Sequence, residues 1–247
     1  MAEACGERVN NLAIAEIGET TVQEEIMSSK IRENLSQIEE DIAPYTPNII
    51  AVTKYFDESK IAEAYNAGLR DFGESRVLEA IEKIEKLPQE VRENSNFHLI
   101  GHLQANKARR AVGNFDYIHS VDSLKLAQTL SEEALRIGIK QKVLLQINNA
   151  NEEQKFGFSK DEILKNFEEI KSLNGLEVVG LMNIAPLGLE KRALSELFRD
   201  IVELKCRLEK EFDCELKEIS MGMSGDYKEA VVAGATMIRI GRKLFSQ

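Results

Sequence analysis

The chain has 247 residues, of which 43% are hydrophobic and 30% are charged, and its formal net charge is −10. A chain of this size can bury its own core, and its composition is typical of one large α/β barrel or two small globular domains. The acidic excess argues against a general nucleic-acid binder, because neutralising phosphates requires a basic face.

The cysteines and the amino terminus bear on the cellular compartment. Cys5, Cys206 and Cys214 form no CxxC pair, and an odd number of cysteines is typical of a reducing compartment without disulfide or metal roles. No apolar run reaches transmembrane length, and Glu7 and Arg8 lie where a signal peptide has its apolar core. We therefore expect a cytoplasmic protein that does not associate with membranes.

Two segments are distinguished near the amino terminus. Residues 1–25 form a weakly periodic extension that we expect to be poorly ordered. Between Val22 and Ile42, isoleucine and leucine recur at helical spacing among charges, which predicts an amphipathic helix covering the domain that follows. Residues 26–247 are predicted to form one domain, since no linker rich in Pro, Gly or Ser divides them.

The first predicted strand ends at a lysine. The run Ile49–Thr53 is short and β-branched enough to be buried on both faces. After it, Asp57 can cap a helix that Gly68 closes. Lys54 is thereby placed at the carboxyl end of the first strand, where α/β folds position their chemistry.

Seven further segments have the apolar pattern of strands, and a helical pattern separates each neighbouring pair. A series of this kind predicts a single (β/α)8 barrel of the TIM type, although the spacing alone also fits a doubly wound sheet. The number of strands favours the barrel. The seven predicted strands are Arg70–Glu74, Asn96–Gly101, Phe115–Val121, Lys142–Asn148, Leu176–Met182, Leu216–Met221 and Thr236–Ile240.

Lys54 has two interpretations. A lysine at a strand end commonly extends into solvent. Alternatively, its amine is partly buried in the barrel mouth, loses part of its hydration and becomes nucleophilic enough to form an imine.

A second functional signal is the segment SMGMSGD, residues Ser220–Asp226. It predicts a strand, a turn with two glycines and a helix capped by Ser224, whose free N–H groups would bind a phosphate. Barrels often hold phosphate between the loops after strands seven and eight, and Arg239–Arg242 supplies the second loop. The simpler interpretation is that Ser224 is only a helix cap. Asp226 should point outward if an anion binds here.

The histidines are weaker signals. His98 and His119 fall inside predicted strands, which favours packing over ligand binding, whereas His102 begins a loop and could contact a substrate. No His, Cys and carboxylate spacing matches a metal site.

Nine blocks of sequence, spread from about residue 30 to the end, carry a family resemblance. The chain resembles the pyridoxal 5′-phosphate homeostasis proteins, single-domain relatives of the amino-terminal barrel of alanine racemase. The resemblance implies an alanine racemase-like barrel that binds pyridoxal 5′-phosphate for intracellular homeostasis and is not an enzyme. The blocks are AVTK, DFGESRVLE, FHLIGHLQANK, IHSVDS, VLLQIN, KFGF, GLM, SMGMSGD and MIRIG.

The resemblance also implies the cofactor-binding residues. Lys54 matches the lysine that holds the cofactor as an internal aldimine, a Schiff base, and Arg239 matches the arginine beside the pyridine nitrogen. Because a charged arginine cannot accept a hydrogen bond from a protonated pyridine nitrogen, Arg239 implies that the ring is a weak electron sink. Carbanion chemistry should therefore be poor. The other implied cofactor-binding residues are Ser75, Asn106, Met182, Met223, Ser224, Gly241 and Arg242.

The sequence departs from the family pattern at three positions. Ser75 replaces a usual asparagine, Gly225 replaces a second aspartate, and Arg242 replaces a small hydroxyl residue. The implied partners are pyridoxal 5′-phosphate and the apoenzymes that use it, and the implied assembly is a monomer or weak dimer.

Two enzymes remain as alternatives. One is a small racemase or lyase that depends on pyridoxal phosphate and uses Lys54 as both imine and base. Against it, the chain ends at Gln247, so we expect it to lack the extra β domain whose tyrosine serves racemases as a second base. The other is an aldolase-like barrel in which Lys54 reacts with the substrate itself.

Overall fold

The structure is a computed structural model that describes residues 30–150 and 156–246. Its centre is a closed barrel in which the strands follow one another from β1 to β8 and β8 pairs in parallel with β1. The closed ring confirms the predicted barrel and rules out the doubly wound sheet. The strands are β1 (Asn48–Val52), β2 (Asp71–Glu74), β3 (Asn96–Leu99), β4 (Tyr117–Val121), β5 (Gln141–Ile147), β6 (Leu176–Asn183), β7 (Glu218–Met223) and β8 (Met237–Ile240).

Helices surround the barrel. Residues 30–42 form helix α1, so the helix predicted from Val22 is observed from residue 30 onward, and the extension 1–25 lies outside the described residues. The others are α2 (Glu58–Asn66), α3 (Val77–Lys86), α4 (Gln89–Glu93), a 3-10 helix (Ala105–Lys107), α5 (Ala108–Ala111), α6 (Leu124–Arg136), α7 (Lys160–Lys171), α8 (Lys191–Phe212) and α9 (Tyr227–Ala233).

All eight predicted strands are present, and β7 shows the clearest difference in position. It was predicted from Leu216 and is observed from Glu218 to Met223. The backbone N–H of Leu216 donates to Glu209 Oε1 at 2.8 Å, so this residue belongs to the connection from α8. At the other end, Met223 lies opposite Arg239 of β8 and extends the strand towards the barrel mouth.

The core has an outer apolar layer and a more polar interior. The larger cluster of buried side chains packs the strands against the helices, with Phe72, Phe167 and Phe198 fully buried. A separate small cluster comprises Leu144, Val179 and Met182. Tyr117 packs against this small cluster and stacks on the fully buried His98, so we assign the cluster to the inside of the barrel.

Helix α1 is tied to the carboxyl end of the barrel by a polar cluster. The hydroxyl of Tyr227 donates to Asp41 Oδ2, and Lys243 Nζ donates to the same carboxylate and to the Tyr227 oxygen. Lys228 adds an ion pair with Asp41 at 2.9 Å. The hydrogen bond from Lys243, followed by those from Tyr227 and Lys228, holds the pKa of Asp41 well below its usual range.

We expect Asp41→Asn to lower the melting temperature at pH 7. A carboxyl whose pKa is lower in the folded than in the unfolded protein stabilises the fold above its unfolded pKa of about 4, and this contribution is lost as the pH falls further. The difference from wild type should therefore be constant near neutral pH and shrink progressively below about pH 4. Thermal unfolding followed by circular dichroism tests this, with Glu39→Gln on the same helix as the exposed control. A difference independent of pH would contradict it.

Candidate functional site

Predicted site residues of three neighbouring strands meet at the carboxyl end of the barrel. In the β8 to β1 pairing, Arg239 lies opposite Ile50, and in the β7 to β8 pairing it lies opposite Met223. A Cβ atom at Gly241 would lie 3.4 Å from Val52 Cβ. Because Lys54 is only two residues beyond Val52, these strand ends bring it to the same side of the barrel mouth as Arg239.

Lys54 extends into solvent. Its side chain is exposed, and its Nζ lies 5.0 Å from the centre of the Tyr55 ring. The interpretation that this amine is partly buried is therefore wrong for this structure. Among the described residues it forms no ion pair, so a reactant entering the barrel mouth can reach it.

A buried ion pair holds the backbone immediately before Lys54, and sequence analysis did not identify it. Lys83 Nζ of α3 donates to Glu74 Oε1 at 2.6 Å and to the Thr53 carbonyl at 3.0 Å. Thr53 Oγ1 donates to the same Glu74 oxygen at 2.7 Å. The side chains of Lys83 and Glu74 are 11% and 3% exposed. Since breaking a buried pair from one side is costly, this contact fixes the carboxyl ends of β1 and β2 relative to each other.

Arg239 is the buried cation of the site, with 4% of its surface exposed. Its Nη1 donates to Ser220 Oγ at 2.7 Å, and its Nη2 donates to the Asn183 carbonyl at 2.8 Å. Burial lowers the pKa of Arg239 from its usual value to about 10, against an opposing effect of the Asp226 charge, so the guanidinium is charged at neutral pH. A guanidinium has five N–H groups, so donors remain for a ligand.

The turn after β7 differs from the prediction. Helix α9 begins at Tyr227, and Asp226 occupies its N-cap position in place of Ser224. Asp226 does not point outward: it is half-buried, and its Oδ1 accepts from the Met223 N–H at 2.5 Å. Burial raises the pKa of Asp226, while the Met223 N–H and the Arg239 charge oppose the rise. A carboxylate thus occupies a backbone donor that was predicted to bind phosphate.

Ser224 joins the loops after β7 and β8. Its Oγ accepts from the Lys243 N–H at 3.4 Å, and within the described residues its own hydroxyl hydrogen has no acceptor. Gly222, with φ 88°, forms the preceding turn, and a Cβ there would lie 2.6 Å from Ala230 Cβ. The glycine is therefore required for β7 to pack this closely on α9.

The remaining predicted site residues differ in how deeply they are buried. Met182 is fully buried with Leu144 and Val179. Ser75 is half-buried, and a Cβ at Gly101 would come within 2.3 Å of its carbonyl oxygen. Asn106 and Arg242 are exposed, and in the part of the chain that the structure describes they make no hydrogen bond with Lys54 or Arg239.

The histidines are more organised than predicted. His98 and His119 are fully buried, as the packing interpretation requires, but each also bonds to polar side chains. His102 lies at the rim, with its Nδ1 3.0 Å from Asp122 Oδ2 and its ring stacked 3.5 Å from that of Phe156. The signal available in the sequence was that His98 and His119 each lie within a strand, His98 in β3 and His119 in β4. Across residues 30–150 and 156–246, no group of three or more His, Cys, Asp or Glu side chains could hold a metal ion.

Comparisons with known proteins agree with this geometry. Residues 26–246 match the family model of the alanine racemase N-terminal domain. The chain is 43% identical over 202 residues to the pyridoxal phosphate homeostasis protein of Synechocystis sp. strain PCC 6803, covering 82% of this chain and 92% of the relative. PipY of Synechococcus elongatus PCC7942, solved with PLP bound, has a TM-score of 0.80 and 39% identity and covers 87% of this chain and 100% of its own.

A more distant similarity concerns the fold alone. Alanine racemase of Clostridium difficile 630 superimposes with a TM-score of 0.72 at 17% identity, covering 89% of this chain and 57% of the racemase. The barrel described above is therefore shared with that enzyme's structure.

Proposed function

This chain belongs to the alanine racemase N-terminal domain family and, within it, to the pyridoxal phosphate homeostasis proteins, and from that premise we propose that it binds pyridoxal 5′-phosphate and takes part in intracellular homeostasis of this cofactor. The observation that carries the proposal is the pairing of an accessible amine, Lys54, with a buried cation, Arg239, at adjoining strand ends. The PLP bound to PipY and the printed names of the relatives support it.

The side chains at this site fit a phosphorylated pyridine aldehyde. When bound, the cofactor supplies an aldehyde that an amine can attack and a ring that withdraws electrons. Lys54 would be the covalent anchor, and Arg239 would donate an N–H group to the ring nitrogen. Since the guanidinium only donates hydrogen bonds and cannot accept one from a protonated ring nitrogen, it favours a ring nitrogen that is not protonated. This arrangement disfavours carbanion chemistry.

The phosphate would lie against the loops after β7 and β8. Ser224 has a free hydroxyl hydrogen among the described residues and already bonds to the β8 loop through the Lys243 N–H. The backbone at Gly241 and the charge of Arg242 complete the proposed phosphate site, whereas the predicted donor at Met223 is already bonded to Asp226. The proposed lining residues further round the mouth are Ser75, Asn106 and Met182.

The direct test is retention of the cofactor. The purified protein is incubated with excess pyridoxal 5′-phosphate, freed of unbound ligand by gel filtration and assayed for bound cofactor. We expect about one equivalent, and subsequent transfer to an added apoenzyme would support the homeostasis role. A protein that retains no cofactor would refute the proposal.

A catalytic role is the alternative that must be separated from binding. The relatives are named homeostasis proteins, and we propose that any reaction of the bound cofactor is a weak side activity. Incubating the loaded protein with L-amino acids, followed by chiral detection of the D-forms, distinguishes the two functions. Sustained turnover would favour a small racemase or lyase.

The setting of this function is also proposed. No helix among the described residues is long and apolar enough to cross a membrane. From the cysteine pattern we propose that the protein works in the cytoplasm, supplies apoenzymes that use pyridoxal phosphate, and is a monomer or weak dimer. Light scattering of the loaded protein would test the assembly.

We expect Asp226→Asn to tighten binding of pyridoxal 5′-phosphate. The asparagine oxygen can still accept from the Met223 N–H, while the negative charge beside the proposed phosphate site is removed. Relief of one partly screened repulsion predicts an affinity gain of about threefold to tenfold. Isothermal titration calorimetry measures it, with Asp213→Asn as the control because Asp213 precedes β7 at the opposite end of the barrel. An unchanged or weaker affinity would contradict the expectation.

A further inference from the structure

A continuous chain of buried hydrogen bonds crosses the barrel. His98 Nε2 lies 2.9 Å from Asp71 Oδ1, and His98 Nδ1 lies 2.9 Å from His119 Nε2. His119 Nδ1 lies 3.0 Å from Ser220 Oγ, which accepts from Arg239 Nη1 at 2.7 Å. All five residues are at most 8% exposed. Asp71 and Arg239 are therefore connected through side chains of β2, β3, β4, β7 and β8.

The chain has one consistent direction. A guanidinium only donates, so Ser220 Oγ must accept from Arg239. Among the described residues, the only acceptor for the Ser220 hydroxyl hydrogen is His119 Nδ1. His119 is then protonated on Nε2 and donates to His98 Nδ1. His98 in turn is protonated on Nε2 and donates to Asp71, so every group is satisfied with two neutral imidazoles and one carboxylate.

The opposite direction leaves a group unsatisfied. If His119 donated to Ser220 through Nδ1, the Ser220 hydrogen would have no acceptor among the described residues, and a buried donor without a partner is costly. His98 would also face Asp71 with a bare nitrogen unless one of them gained a proton. Burial, with the charge of Arg239, lowers the pKa of His119 well below its usual value. Burial tends to raise the pKa of Asp71, but bonds from His98, Asn48 and Asn96 outweigh it and lower the pKa.

We propose that Asp71, His98, His119 and Ser220 are positioning residues that hold the Arg239 guanidinium in place for the ring of the bound cofactor. The inference rests on the proposed function, but it concerns residues other than those proposed to bind the cofactor. Because the Ser220 hydroxyl donates its hydrogen to His119, a lone pair of the Ser220 oxygen faces Arg239. Together with the Asn183 carbonyl, this fixes two N–H groups and aims the rest of the guanidinium.

The direction of the chain can be tested without any ligand. Two-dimensional NMR of the histidine-labelled wild-type protein reports the protonated nitrogen of each imidazole. At pH 7 we expect both His98 and His119 to be neutral with the proton on Nε2. A proton on Nδ1 of either ring, or an imidazolium at either position, would overturn the proposal.

The positioning role is tested by a matched pair of variants. Ser220→Ala removes the link to Arg239, whereas Ser120→Ala removes a hydroxyl that is equally buried but has no partner among the described residues. Loss of a hydrogen bond to a charged group predicts that Ser220→Ala weakens pyridoxal 5′-phosphate binding about tenfold, and that Ser120→Ala changes it less than twofold. The ¹⁵N shift of the bound cofactor's ring nitrogen should move in the first variant only.

The two arms separate the possible failures. Wild-type affinity and an unchanged ring-nitrogen shift in Ser220→Ala would show that the chain is purely structural and would overturn the inference. Equal losses in both variants would do the same, because they would reflect packing. If wild type itself binds no cofactor although both imidazoles are as expected, the proposed function fails first, and the role assigned to the chain falls with it.

Discussion

Lys54→Ala is expected to abolish the visible absorbance of the protein loaded with pyridoxal 5′-phosphate. In wild type, we expect a visible absorbance band that borohydride removes, since the proposed covalent link to Lys54 extends the conjugation of the ring. Alanine removes the amine that the end of β1 places on the same side of the barrel mouth as Arg239. The variant should fold normally, because the Lys54 side chain is exposed.

The control for this prediction is Lys140→Ala. Lys140 is also an exposed lysine, but it precedes β5 at the opposite end of the barrel, so its loss should leave the spectrum unchanged. A band that persists in Lys54→Ala and still responds to borohydride would assign the anchor to another lysine. A wild-type protein that stays colourless after the cofactor is added would refute the cofactor assignment, and the aldolase-like alternative would then take first place.

Lys83→Met is expected to destabilise the protein by about 3–5 kcal/mol, because it leaves the Glu74 carboxylate buried without its cation. Glu74 is 3% exposed on its side chain, so water cannot replace the lost partner. The Thr53 carbonyl also loses a donor at 3.0 Å, which should loosen the backbone that precedes Lys54. Urea denaturation measures the first effect, and the rate of borohydride-trapped cofactor loading measures the second.

Two further variants define the origin of this loss. Lys86→Met lies on the same helix but is exposed, and an exposed substitution of this kind should change the stability by no more than about 0.5 kcal/mol. In the double variant Lys83→Met with Glu74→Leu, neither charge remains buried, so much of the stability should return. A Lys83→Met protein as stable as the Lys86→Met protein would contradict the importance of the buried pair.

The barrel was predictable because its signals are local. Short β-branched runs and the helical patterns between them marked all eight strands, and the observed ends differ from the predicted ones by only a few residues. These patterns depend on consecutive residues and on burial, which the fold class determines. The exception at β7 arose from a contact outside the strand, since the N–H of Leu216 is bonded to Glu209 of α8.

The site was predictable only in part. The motifs that contain Lys54, Ser224 and Arg239 identified the strands that meet at the carboxyl face, because parallel strands of a barrel expose their carboxyl ends together. The orientation of Asp226 was predicted wrongly. Whether the Asp226 carboxylate faces solvent or the Met223 N–H depends on how closely the turn after β7 packs on α9. The contact of Gly222 with Ala230 determines that packing.

Sequence alone thus determined the order of the elements and the residues that end each strand, whereas tertiary structure decided which polar groups meet. The partners in the buried chain are separated by 27, 21, 101 and 19 residues. Nothing in the local pattern pairs His119 with Ser220. A hydrogen bond forms only within about 3 Å, so these contacts exist because closure of the sheet brings β4 and β7 to face each other across one interior, where buried polar groups must find partners.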